Sequence, residues 1–194
     1  MRVPPSTRWA IAVAAVVSLT TPRPSPGQVS SAPPTAGTPA PLAASIDELR
    51  HVVGRWNVTT EFLRDDGSVA RAVQGTYEFE WVVPDTVVRG VSHIPALDQR
   101  AAILLFVNPR EKTVEMTSVG ADGQLWRMIG PVGGDSRTTP DVTMPDGSTL
   151  RLRFTRSNVT ADRFESRMER SVDGGRQWTT GNHQVFTRVG AGRP

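Results

Sequence analysis

Hydrophobic and polar residues alternate with a period of two along most of the chain after Gly54. From Trp56 to Phe62, every second residue is apolar or a threonine, and the residues between them are polar. The segment from Tyr77 to Trp81 repeats the pattern, with glutamates between aromatic side chains. Because alternate side chains of a strand point to opposite faces, both segments predict half-buried β-strands.

Short turn motifs separate such segments along the chain. Asp-Gly and Asn-Pro dipeptides are typical of tight turns between strands, and they occur at Asp66-Gly67, Asn108-Pro109, Asp122-Gly123, Asp146-Gly147 and Asp173-Gly174. Nine to ten short strands with no helix between them predict antiparallel pairing between neighbours in the chain. Closure into a barrel removes the exposed edges of so large a sheet, so we predict an all-β, antiparallel, up-and-down β-barrel.

One short helix precedes the first predicted strand. Ser45 followed by Glu48 fits a capping box, and the apolar residues from Ile46 to Val52 share one helical stripe. Gly54 then ends the helix. The sequence therefore predicts a folded domain over residues 45–190, a barrel with one short N-terminal helix.

The N-terminal part of the chain has the composition of a targeting segment followed by a tether. Two arginines precede an apolar run from Trp9 to Leu19, which is too short to span a membrane and has the length of a signal-peptide core. We predict a signal peptide over residues 1–27 and a flexible linker rich in proline, alanine and serine over residues 28–44. A longer signal region cleaved near Ala43 is the alternative. The mature protein is expected to be exported, to the periplasm or outside the cell.

The charge balance excludes some classes of partner. The chain has 22 basic and 19 acidic residues, but Arg2, Arg8 and Arg23 lie within the predicted signal peptide, which has no acidic residue. The mature chain is therefore close to neutral, which argues against nucleic acid as a partner. No membrane span is expected after signal cleavage. Because the chain has no cysteine, we expect a hydrophobic core without disulfides, in a monomer or homodimer.

Residues at both ends of the predicted barrel carry a resemblance to a known superfamily. The motif Gly54-Arg55-Trp56 opens the first strand, and Arg188 ends the last. This resembles the calycin superfamily, the lipocalins and their relatives, in which an arginine of the last strand stacks on the tryptophan. The order of weaker motifs over residues 45–189 is similar to a bacterial secreted lipocalin-like family of unknown function. The resemblance implies a lipocalin-like barrel closed by a cation–π pair of Trp56 and Arg188.

A barrel of this size has room for a small ligand. By alternation and composition, the candidates for an inward-facing cavity wall are Tyr77, Trp81, Met116, Trp126 and Met128. The sequence therefore predicts a non-enzymatic barrel that binds a small hydrophobic or amphipathic molecule. An ordinary packed core is the alternative explanation for the same five residues.

Arg89 and His93 share one face of a further predicted strand. If that face points inward, they form a polar end of the cavity, and an acidic ligand is a suitable partner for a buried arginine. If Val88 points inward instead, both side chains lie outside. The sequence leaves both orientations open.

Two other functions are compatible with this barrel. The first is a haem or metal centre that uses His93 or His183, although a ligand at His183 requires a bulge at Gly181. No histidine and carboxylate have the spacing of a metal motif, and the segment after Trp56 lacks the glycine-rich run of haem-binding calycins, so no cofactor is expected. The second is an enzyme on a barrel scaffold, for which the chain offers neither cysteine nor a Gly-x-Ser-x-Gly motif.

Overall fold

The computed structural model describes residues 39–64, 66–144 and 146–190. This part of the chain forms one α-helix, α1 (Ala40–Val52), and one short 3-10 helix at Pro95–Leu97. It also forms eleven strands, which are β1 (Gly54–Leu63), β2 (Val69–Val83), β3 (Val87–Ile94), β4 (Gln99–Asn108), β5 (Thr113–Gly120), β6 (Leu125–Pro131), β7 (Ser136–Thr138), β8 (Val142–Thr143), β9 (Thr149–Thr160), β10 (Arg163–Ser171) and β11 (Thr179–Arg188).

Ten of these strands pair in a closed antiparallel ring. The ring runs in chain order from β1 to β7 and then through β9, β10 and β11, and it closes because β11 pairs with β1. Within the described residues, the two-residue strand β8 pairs with β9 alone and stands outside the ring. The ring confirms the predicted fold class, an up-and-down antiparallel barrel of nine to ten strands with one helix before it.

Alternation along the strands separates a buried inner face from a polar outer face. In β3, every second residue from Val88 to Ile94 is buried, and the residues between them are exposed. In β1, Trp56 and Val58 are fully buried, as the sequence predicts. Each large apolar side chain buried in this way contributes about 1.5–3 kcal/mol relative to an exposed position. The period of two therefore reflects the energetics of a barrel that faces water only on its outside.

The turns of the barrel lie at two ends, which we call the closed end and the open end. The closed end lies where β1 begins and holds the turns at residues 84–86, 109–112, 132–135 and 161–162. The open end holds the turns at residues 66–68, 95–98, 121–124 and 172–178. The helix α1 contacts turns of the closed end through Arg50, which binds Asp85, and through Ser45, which binds Gly133.

The helix begins earlier than the sequence predicted, at Ala40, with Pro41 in its first turn, where the missing proline N–H is not needed. Residues 40–44, which lie within the predicted linker, are therefore helical. The capping-box interpretation is wrong. Ser45 is buried, and its Oγ accepts a hydrogen bond of 2.8 Å from the N–H of Gly133 instead of capping α1.

The predictions for the N-terminal targeting segment and most of the linker, residues 1–38, lie outside the described residues. Of the helices that the structure does describe, none combines the length and the apolar character that crossing a membrane requires.

Candidate functional site

The barrel encloses a cavity of about 430 Å³. Every strand of the ring contributes to its wall, and α1 contributes Glu48 and Val52. Most of the wall is apolar, with side chains such as Phe79, Ile103 and Phe154. Cavities of roughly 300–1,000 Å³ with a few placed polar groups are typical of small-molecule sites. The interior is therefore a candidate ligand site.

The helix α1 closes one end of this cavity. Leu49 and Val52 are buried against the core. On the surface, the guanidinium of Arg50 donates two hydrogen bonds of 2.8 Å to the carboxylate of Asp85, in the turn between β2 and β3. The helix α1 is therefore held in place at the closed end both inside and outside the barrel.

Trp56 and Arg188 join the C-terminal end of α1 to the barrel. The indole N–H of Trp56 donates to the carbonyl of Val52 at 2.7 Å, and the guanidinium carbon of Arg188 lies 4.2 Å from the centre of the indole. Arg188 also donates to the carbonyls of His51 and Val53, at 2.7 and 2.9 Å. The last carbonyls of a helix have no partner within the helix, and a cation is favourable there. Two side chains thus satisfy three consecutive carbonyls.

Gly54 is required between these elements because of both its backbone conformation and its surroundings. Its φ angle is +124°, which side chains disfavour, and a Cβ at this position would lie 2.8 Å from Nη1 of Arg188. The Gly-x-Trp motif therefore has a structural explanation, in which glycine leaves space for the arginine that covers the tryptophan.

Three charged side chains form what we call the charged floor of the cavity: Glu48, Arg137 and Arg156. Arg137 is 1% exposed and Arg156 is 7% exposed, and all three residues line the cavity. Nη2 of Arg137 lies 2.5 Å from Oε2 of Glu48. Nη2 of Arg156 lies 2.6 Å from Nδ1 of His51, and its guanidinium carbon lies 5.0 Å from the centre of the Phe164 ring.

The contacts of His51 fix its tautomer and its charge. Nε2 lies 2.6 Å from the carbonyl oxygen of Thr160, which can only accept, so Nε2 carries the proton. Nδ1 then accepts the hydrogen bond from Arg156, and the ring is neutral. Burial, together with the charges of Arg156 and Arg188, lowers the pKa of His51, although the hydrogen bond to the Thr160 carbonyl and the carboxylate of Glu48 act in the opposite direction.

Because His51 is neutral in the folded protein, we predict that the protein loses stability in mild acid. The unfolded chain binds the histidine proton near its ordinary pKa of about 6.5, whereas the folded chain binds it only at lower pH. The contribution of His51 to stability is therefore complete above about pH 6.5 and is lost as the pH falls from there toward the folded-state pKa.

Thermal melts of the wild type, His51→Gln and His93→Gln at several pH values measure this effect. His51→Gln should flatten the decrease in Tm that begins as the pH falls below about 6.5. His93→Gln, which changes an exposed histidine of the outer face, should keep the decrease. If the Tm of His51→Gln decreases with pH as that of the wild type does, His51 is not the source of the decrease.

A second polar group of the cavity wall carries no charge. Nε2 of Gln184 donates to Oγ1 of Thr60 at 2.9 Å and to the hydroxyl of Tyr77 at 3.3 Å. Burial raises the pKa of Tyr77, so its hydroxyl stays protonated. Ser92 lines the same cavity. Because Gln184 links the Thr60 and Tyr77 hydroxyls, this side of the wall is polar and neutral.

Four of the residues that alternation predicted for the cavity wall line it: Tyr77, Met116, Trp126 and Met128. Trp81 also lies on the inner face of β2, but it packs against the buried hydrophobic core at the closed end. Phe79, two residues earlier, lines the cavity. The cavity therefore ends between the level of Phe79 and the level of Trp81 along β2.

Arg89 and His93 lie on the outer face of the barrel and do not form a polar end of the cavity. Val88 points inward, which is the alternative orientation that the sequence allowed. Arg89 is 65% exposed and forms an ion pair with Glu80 of the neighbouring strand. The polar end of the cavity comes from the charged floor instead.

His183 also faces outward, so neither candidate histidine points into the barrel. Its Nδ1 and Nε2 lie 2.9 and 3.2 Å from the carboxylates of Glu61 and Glu165. The pairing register shifts at Gly181, as a haem ligand at His183 would require, yet His183 stays on the outer face. Within the described residues, no group of three histidine or acidic side chains has the arrangement of a metal site.

The charged floor is the part of the site that the sequence pattern does not predict. Arg156 has the same parity as Leu152 and Phe154, so extension of the alternation along β9 would have placed it inward. Glu48 is one helical turn from Val52, on the buried side of α1. Arg137 lies in a three-residue strand within a segment rich in glycine and proline, and it has no comparable signal.

The strand pairing and the cavity define the class of this protein as a closed β-barrel with an internal site. No protein-family model matches the chain, and no curated protein matches it. The resemblance to calycins therefore stays a prediction.

Solved structures that are similar to this chain include two β-barrels, one designed de novo and one redesigned, and the protein EF1p2_mFAP2b. A de novo designed fluorescence-activating β-barrel is 16% identical over 73% of this chain and 97% of that one, with a TM-score of 0.41. The protein EF1p2_mFAP2b, in a structure bound to DFHBI, is 13% identical over 75% and 98%, with a TM-score of 0.38. A redesigned β-barrel, b11L5F_LGL, is 14% identical over 72% and 93%, with a TM-score of 0.31. These scores are low, so the assignment to the barrel class rests on the strand pairing itself.

Proposed function

We propose that this protein is an exported barrel that binds one small hydrophobic or amphipathic molecule in its cavity. The observation that supports the proposal is the cavity of about 430 Å³, which has a largely apolar wall with a smaller number of polar side chains, among them the charged floor and Gln184. A solid core would leave no such volume, because protein interiors pack as densely as organic crystals. The helix α1 and the pair of Trp56 and Arg188 cover the closed end of the barrel.

Export and a lipocalin-like relationship are parts of the same proposal. Export is supported by the basic and apolar pattern of residues 1–27. The relationship is supported by Gly54, Trp56 and Arg188, whose contacts match the closing pair that the resemblance implies. We propose that the protein acts in the periplasm or outside the cell, as a monomer or homodimer without a cofactor.

Native mass spectrometry of the protein purified from its host tests the binding function. The expected result is a second species whose extra mass is lost on denaturation and which identifies the bound molecule. If the protein loses its ligand during purification, titration with Nile red, an uncharged hydrophobic dye, still measures whether the protein binds an apolar molecule. A protein that carries no extra mass and does not bind the dye would overturn the proposal.

Two adjacent alanines of β4 provide a matched pair of variants for the site. Ala101 lines the cavity near the open end, whereas Ala102 points outward and is exposed. Ala101→Phe is expected to fill part of the cavity and to weaken Nile red binding by about tenfold or more, since added volume in a site excludes ligand. Ala102→Phe adds the same volume outside and should bind like the wild type. Equal binding by both variants would place the dye outside the cavity.

A further inference from the structure

The charged floor holds two buried cations against one carboxylate. Arginine stays protonated in proteins, so burial of Arg137 and Arg156 cannot be relieved by loss of a proton. Glu48 pairs with Arg137. The partner of Arg156 is the neutral ring of His51, which offers a lone pair and no negative charge.

No carboxylate in the described part of the chain lies within ion-pair distance of Arg156. Glu48 and the exposed Asp135 act on it only at longer range, while Arg137 adds a like charge. Burial and that like charge lower the pKa of Arg156 from its usual high value. The floor therefore carries one net positive charge that the protein itself does not neutralise.

Hydrogen bonding at the floor is also incomplete. The Nε atoms of Arg137 and Arg156 are both buried without a hydrogen-bond partner. Buried polar groups normally have partners, so two unsatisfied donors on neighbouring side chains of one cavity point to a missing acceptor. Both arginine side chains line the cavity, although the two Nε atoms themselves expose almost no surface to it.

The charge count and the shape of the donors narrow the chemistry of that acceptor. A guanidinium presents its donors in a planar fork that matches the two oxygens of a carboxylate or phosphate. One net positive charge favours a monoanion, and a phosphate monoester carries a charge of about −1.5 to −2 at neutral pH. A carboxylate therefore fits better than a phosphate.

We infer that the ligand is an amphipathic carboxylic acid whose carboxylate binds Arg156 and Arg137 at the charged floor and whose apolar part extends toward the open end. The wall beyond the floor offers apolar surface from Phe79, Ile103 and Met128. His51 is a positioning residue, because it holds Arg156 without neutralising it. The inference rests on the proposed binding function and specifies the class of ligand.

Ligands that share one tail and differ in the head group test this inference on the wild-type protein. Isothermal titration with dodecanoate, dodecan-1-ol and dodecyl phosphate compares a monoanion, a neutral head and a head of higher charge. Dodecanoate is expected to bind about tenfold or more tightly than dodecan-1-ol, as hydrogen bonds to a charged group imply. It should also bind more tightly than the phosphate. Equal affinity for acid and alcohol would overturn the inference, and stronger binding of the phosphate would overturn the choice of carboxylate.

Two arginine variants locate the head group. Arg156→Gln removes the charge at the floor and should weaken dodecanoate binding by about tenfold or more, while dodecan-1-ol binds as before. Arg89→Gln removes an exposed arginine of the outer face and should change neither affinity. Circular dichroism shows whether Arg156→Gln is folded, and if it is not, the head-group comparison on the wild type decides. A folded Arg156→Gln that binds dodecanoate like the wild type would overturn the inference.

Failure of the inference can be told from failure of the binding function. If acid and alcohol bind with equal affinity, Nile red also binds, and Ala101→Phe weakens all three, the barrel binds apolar molecules and only the carboxylate assignment fails. If none of the three binds to the wild-type protein, the binding function fails and the inference fails with it.

Discussion

Trp56→Ala is expected to lower the free energy of unfolding by about 3–5 kcal/mol, the range for removal of a large buried aromatic side chain. Trp56 is completely buried, and its ring lies edge-on to that of Phe164 at 5.0 Å between centroids. Its loss also leaves the carbonyl of Val52 without the indole N–H. Chemical denaturation followed by circular dichroism measures the change.

Arg188→Ala is expected to cost about 2–4 kcal/mol, because it removes the cation–π contact and leaves two helix carbonyls unsatisfied. A second pair in the same protein supplies the control. The guanidinium carbon of Arg153 also lies 4.2 Å from a tryptophan ring, that of Trp178, but this pair lies on the outer face. Arg153→Ala should cost only about 1 kcal/mol. Similar losses in both arginine variants would show that the carbonyl contacts of Arg188 contribute little.

Much of the barrel could be predicted because one physical constraint acts on every strand. A strand between water and an apolar interior has to alternate, so the inward positions of Val58, Tyr77 and Met116 follow from the sequence alone. Turn dipeptides mark where each strand ends, and the absence of other helical patterns leaves antiparallel neighbours as the simplest pairing.

The start of the helix could not be predicted because a tertiary contact overrides a local motif. Ser45 and Glu48 have the spacing of a capping box, which is a local arrangement. In the structure, Ser45 binds the backbone of Gly133, 88 residues away, and Glu48 binds Arg137, 89 residues away. A pattern of a few residues contains no information about partners at that distance.

The charge of the cavity depends on the same kind of long-range contact. Alternation along β9 places Arg156 inside the barrel, but it does not show whether a carboxylate meets it there. That depends on α1, whose His51 is 105 residues away in sequence and offers a neutral ring. The sequence can therefore indicate which side chains face inward, whereas the charge that they leave uncompensated follows from the packing of the helix against the barrel.

Glu48→Ala is expected to lower the free energy of unfolding by about 3–5 kcal/mol, because breaking one side of a buried ion pair leaves an unpaired buried charge. Arg137 is almost completely buried and would keep its charge. Arg156 lines the same floor, so the variant would hold two cations with no carboxylate bound to either.

Two comparisons separate charge from packing in this result. Glu78→Ala breaks an exposed pair with Arg55 and should change stability by about 0–1 kcal/mol. Glu48→Ala combined with Arg137→Met removes both partners of the buried pair, and it should be more stable than Glu48→Ala alone because no unpaired charge is left at that pair. An effect of charge requires that the second substitution compensate for part of the first. If the double variant instead loses as much free energy of unfolding as the two single variants together, the loss comes from the packing of α1.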